Sequence, residues 1–173
     1  NNGMMPVIAK DVMETDAVCL GWMLGMYSTG ALSGSLVMGY LSNNKWVGVL
    51  MIVGALLWHV GIFFMGFASS LFVAIPLLYF IGVFQSFAMV TMAMLLMSYT
   101  SKEMLGRILG LRQLSVYGLP LGLLFSGSIA DNYEVSWALF LNGVIGFLIL
   151  LIAVAVWPIL FQSNFAHKKD LTV

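Results

Sequence analysis

The sequence predicts an all-α integral membrane protein with five transmembrane helices, and three observations carry that prediction. From Trp46 to Ser101 the chain contains no Asp, Glu, Lys or Arg. A helix crosses roughly 30 Å of hydrocarbon with about 20 apolar residues, so this run holds two crossings and the turn between them. Hydrophobic residues make up 61% of the 173 residues and charged ones only 8%, where an ordinary soluble domain carries roughly 25% charge. The remaining charges and turn residues fall between apolar stretches, which divides the chain into five spans.

The first span covers residues 17–41, opened by Asp16 and closed by Ser42-Asn43-Asn44-Lys45. The second covers 46–67, and Ala68-Ser69-Ser70 is the only break before the third, 71–98. Pro76 falls in the early turns of the third span, where a missing amide costs less than at the centre. A basic linker leads to the fourth, 108–129, and residues 130–134, with Asp131 and Glu134, turn it into the fifth, 135–160. Residues 1–16 read as a loop outside the membrane and 161–173 as a cytoplasmic tail. Residues 1–16 hold no apolar stretch of signal-peptide type, and the absence of Met at position 1 suggests a piece of a longer chain.

Loop charge sets the orientation. Of the seven basic residues, Lys45, Lys102, Arg107, Arg112, Lys168 and Lys169 share one side of the membrane and Lys10 alone lies on the other. Basic residues accumulate on the cytoplasmic side. The C-terminus is therefore expected in the cytoplasm, the N-terminus outside, and the protein in the plasma or inner cell membrane. A formal net charge of zero leaves no footprint for nucleic acid. The single cysteine, Cys19, excludes an internal disulfide and a cysteine-based zinc site.

Placed on these spans, three short motifs resemble the major facilitator superfamily of transporters. Gly39-Tyr40-Leu41-Ser42-Asn43-Asn44-Lys45 is similar to that family's loop of Gly, three residues, Asp, Arg and further basic residues, with Asn43 and Asn44 in place of the acid and the Arg. Leu105-Gly106-Arg107, then Tyr117-Gly118-Leu119-Pro120-Leu121-Gly122, Gly127 and Ala130-Asp131, resemble the family's eleventh helix. Met5 to Val12 followed by Leu20-Gly21 resembles the outer loop before the eighth helix in drug and siderophore exporters. The resemblance implies a C-terminal half, helices eight to twelve, whose partner is a missing N-terminal half. The second to sixth helices are the alternative placement; the degenerate loop and the short tail favour the C-terminal half.

The resemblance also implies that the third and fourth spans line a central cavity. That makes Gln85, Gln113 and Tyr117, with Ser33 on the first span, candidate contacts for a small-molecule substrate, and an amide such as Gln85 can equally bond a neighbouring helix. Gly39, Arg107, Gly118, Pro120 and Gly122 are candidate packing or conformational residues, since Pro120 bends its helix and Arg107 sits at a helix mouth beside Gly106. Gly21 and Gly25, Gly30 and Gly34, and Gly118 and Gly122 each form a GxxxG step that lets backbones approach closely, which suggests contact between the first and fourth spans.

His59 is the one ionisable group in mid-membrane; an imidazole suits a proton relay, and a neutral, hydrogen-bonded structural role is the favoured reading. No carboxylate lies within a span, so a buried acid for coupling to a proton gradient belongs to the missing part. No other cofactor is expected. The function implied is secondary active transport by alternating access, with efflux of hydrophobic or amphipathic compounds suited by 13 Met and 12 Phe. A membrane scaffold or assembly protein is the alternative. A membrane enzyme needs a catalytic pair, which the spans lack.

Overall fold

A computed structural model describes residues 17–41, 47–68, 70–116 and 135–156. Five helices are seen among them: α1 (Ala17–Leu41), α2 (Val47–Met65), α3 (Leu71–Tyr99), α4 (Leu105–Val116) and α5 (Val135–Val156). The protein is all-α. Three of these helices are long and apolar enough to cross a membrane: α2, α3 and the stretch Trp137–Val156 of α5. The first helix, at 25 residues, has the length but is diluted by glycine and hydroxyl side chains.

Three of the hydroxyls that dilute α1 bond back to their own helix. Thr29 Oγ1 donates to Gly25 O at 2.8 Å, Ser33 Oγ to Gly30 O at 2.9 Å and Ser35 Oγ to Leu32 O at 2.8 Å. A hydroxyl bonded to its own helix one turn back exposes no unpaired donor to lipid. Asn142 on α5 follows the same pattern, donating from Nδ2 to Ala138 O at 2.9 Å.

Two helix ends differ from the expectation. The second helix ends at Met65, because the amides of Gly66, Phe67 and Ala68 turn back to the carbonyls of Phe63, Phe64 and Met65 and tighten the chain toward the next crossing. The fourth begins at Leu105 and not near Ile108. Its first turn is already wound by Met104 N and Leu105 N, both donating to Ser101 O at 3.0 Å. Arg107 and Arg112 are therefore helical residues and not linker residues.

Helix α3 is the centre of the described bundle. It packs against α1 on one side and α2 on the other, and α2 in turn carries α5. Matching positions rise together between α1 and α3, so these two run parallel: Gly30 meets Tyr79 and Gly34 meets Val83 and Ser86. They run oppositely between α2 and α3, where Gly54 meets Phe87 and Gly61 meets Ile81, and between α2 and α5, where Gly143 meets Phe63 and Gly146 meets His59. The core lies toward one end of the bundle. Met23 and Tyr27 of α1, Met65 of α2, Ala68 just past it, Ala74, Leu78 and Ile81 of α3, and Ala138 and Leu139 of α5 bury one another there.

Candidate functional site

The seam between α1 and α3 brings together more of the singled-out residues than any other described region. Its closeness comes from three glycines. A side-chain carbon at Gly30 would strike the backbone carbonyl of Tyr79, and one at Gly82 would strike that of Tyr27. A Cβ at Gly34 would lie 2.6 Å from Val83 O. Obstruction by backbone cannot be relieved by a rotamer change, so only glycine permits this approach.

Across the seam run two polar links. Ser86 Oγ donates to Ala31 O at 2.7 Å, and Ser33 Oγ lies 3.0 Å from Tyr79 Oη. Because the single Ser33 proton goes to Gly30 O, Tyr79 is the donor to Ser33. Ser33 is thus a link in helix packing. Among the described residues the partner of Gly30 and Gly34 is α3; Gly118 and Gly122, the expected seat for the first span, lie outside those residues. Gly21 and Gly25 have the same spacing, yet a Cβ at either would meet no atom within 4 Å.

Gln85 is half-buried on α3 and its side chain makes no hydrogen bond among the described residues, while Gln113 and Arg107 are exposed on α4. Gly39 is exposed near the end of α1. Tyr117, Gly118, Pro120 and Gly122 lie outside the described residues, as do the loop from Ser42 to Lys45 and residues 1–16 and 161–173.

His59 lies between α2 and α5. Its Nδ1 is 2.8 Å from Ala55 O, and since a carbonyl only accepts, Nδ1 carries a proton. Its other edge, Cδ2 and Nε2, rests on Gly146, where a side chain would collide with the ring. This is the local arrangement of a structural histidine. Three buried polar atoms have no partner among the described residues: Thr91 Oγ1, on a residue with no exposed surface, Trp58 Nε1 and Arg112 Nε.

Sequence reasoning missed the recipients. Gly82 stands alone on α3 without a GxxxG spacing, and Gly54 with Gly61 on α2 are separated by two turns. Only the strict return of Gly54, Trp58 and Gly61 to one helical face marked them.

Long apolar helices, polar side chains turned back on their own backbone and glycine-seated crossings define an integral membrane protein built as a packed helical bundle. The chain matches the family model described as Major Facilitator Superfamily over residues 1–170 and belongs to that family, whose members are membrane transporters of small molecules and generally not enzymes. No curated protein and no solved structure matches it.

Proposed function

We propose that this chain is one half of a secondary active transporter that exports hydrophobic or amphipathic small molecules by alternating access. The observation that carries this reading is the family match over residues 1–170, which leaves almost none of the chain to another fold. Transporters of this type rock one helical bundle against another around a midplane site. The α1–α3 seam is suited to belong to a bundle that moves as a unit, since its contacts are backbone against backbone. The partner half lies N-terminal, and the C-terminus faces the cytoplasm, in keeping with the basic residues Lys102, Arg107 and Arg112.

An apolar substrate is favoured by what the spans offer. Phe80, Phe84 and Phe87 follow one another along α3 with ring centroids 6.4 and 6.0 Å apart, and the intramembrane hydroxyls are mostly bonded to their own helices. Gln85 and Gln113, with Tyr117, supply the few polar contacts that orient such a molecule. Coupling to a proton gradient uses an acid in the other half.

The test is dye efflux from cells expressing the whole transporter, this chain with its other half. An amphipathic dye such as ethidium should leave energised cells several-fold faster than control cells, about 1 kcal/mol or more in rate terms. Gly82→Leu should remove that gain. Unchanged dye efflux together with accelerated uptake of a polar solute would overturn the reading.

A further inference from the structure

We propose that the groove between α2 and α5 is a lipid-tail site, holding one hydrocarbon chain of a membrane lipid at mid-depth and taking no part in the substrate path. The groove has a volume of about 340 Å³, at the lower end of the range of ligand pockets. Its floor exists because two side chains are absent on one face of α5. Gly143 sits against the Phe63 backbone, where a Cβ would lie 2.8 Å from Phe63 N, and Gly146 seats the His59 ring. Val144 and Leu148 of α5 and Phe63 and Phe64 of α2 form the walls. The mouth is open: Phe64 is 54% and Leu148 51% exposed.

The occupant follows from chemistry and depth. The wall presents no polar surface: the Nδ1 proton of His59 is committed to Ala55 O, and its Nε2 edge is covered by Gly146. Water, a lipid headgroup or the polar end of an amphipathic substrate would find no partner and bear the full desolvation cost. His59 stands roughly 18 Å along α2 from Val47, at 1.5 Å per residue, and Gly146 is near the middle of α5, so the groove opens at the level of lipid tails. It lies on the side of α2 turned away from Gly54 and Gly61, which face α3. A tail gains no hydrophobic energy on entering from other tails. Its preference comes from contact with a concave wall on several sides, so the site is selective for a chain and indifferent to headgroup.

The experiment uses the protein in phosphatidylcholine vesicles containing a phospholipid with a mid-chain diazirine, with adducts mapped by mass spectrometry after illumination. Adducts should concentrate on residues 59–64 and 143–148, about fivefold above the exposed α1 face of Trp22, Leu32 and Leu36, or roughly 1 kcal/mol of preference. The same enrichment is expected in phosphatidylglycerol vesicles. Val144→Trp fills the groove and should remove the enrichment; Leu148→Trp, at the half-exposed mouth, should do the same without touching the helix contact. Uniform labelling of all apolar faces would overturn the proposal, as would enrichment in only one headgroup or enrichment that survives in both folded variants.

Discussion

Gly25 and Gly30 sit on the same helix little more than a turn apart, and their surroundings differ completely. Gly30 lies on the backbone of Tyr79 while Gly25 faces open space. Gly30→Ala must push α1 off α3 and should cost about 1–3 kcal/mol, the usual range for overpacking; Gly25→Ala should change stability by less than about 1 kcal/mol, with helix propensity in its favour. Thermal unfolding of the purified protein in detergent separates them, and equal losses would refute the register of the seam. Thr91 poses the opposite case. Its hydroxyl is fully buried and unpaired among the described residues, so Thr91→Val, which keeps the shape and removes the orphan, should raise stability by about 1–3 kcal/mol. A lower melting temperature for that variant would reveal an acceptor.

At the level of elements, α1 and α3 are joined by a link from side chain to side chain, Ser33 with Tyr79. Hydrogen bonds between membrane helices average about 0.6 kcal/mol, because the separated helices also find partners. A double-mutant cycle of Ser33→Ala and Tyr79→Phe should therefore give a coupling of about 0.6 kcal/mol, small beside the effect of Gly30. A coupling of zero would mean that the link is not formed. The spans themselves are legible in the sequence, since α2, α3 and α5 are apolar throughout and no other solvent accommodates them. The pairing is not. Gly21 with Gly25 and Gly30 with Gly34 offer α1 two seats of the same spacing, and the helix that takes the second contributes an isolated Gly82 that no motif distinguishes. Ser33 is a candidate ligand contact in the sequence, and its bonds to Gly30 O one turn back and to Tyr79 on α3 are not visible from spacing.

For the whole molecule, opposite ends of α3 should be reached from opposite sides of the membrane. Ser70, just before α3, and Lys102, just after it, are both exposed. A cysteine at Ser70 should react with an impermeant thiol reagent added outside intact cells, and one at Lys102 only after the reagent is admitted to the cytoplasm. Reaction of both from one side would break the alternation of crossings that the parallel and antiparallel contacts describe. Gln85 on α3 and Gln113 and Arg107 on α4 sit on helices that touch each other among the described residues, while Tyr117, Gly118, Pro120 and Gly122 lie outside those residues, so the pattern of spans is where this part of the site is legible.

The parallel course of α1 and α3 has a consequence for biosynthesis. Two helices that point the same way cannot meet as a hairpin; the chain must cross back through α2 before α3 can arrive. During translation α1, the least apolar of the long helices, has to wait in the bilayer with Gly30 and Gly34 facing lipid until two more crossings have been laid down. Thr29, Ser33 and Ser35, bonded to their own carbonyls, lower the number of donors it exposes while it waits. The same bonds that make α1 a quiet packing partner in the finished bundle also make it a helix that survives alone long enough to be assembled.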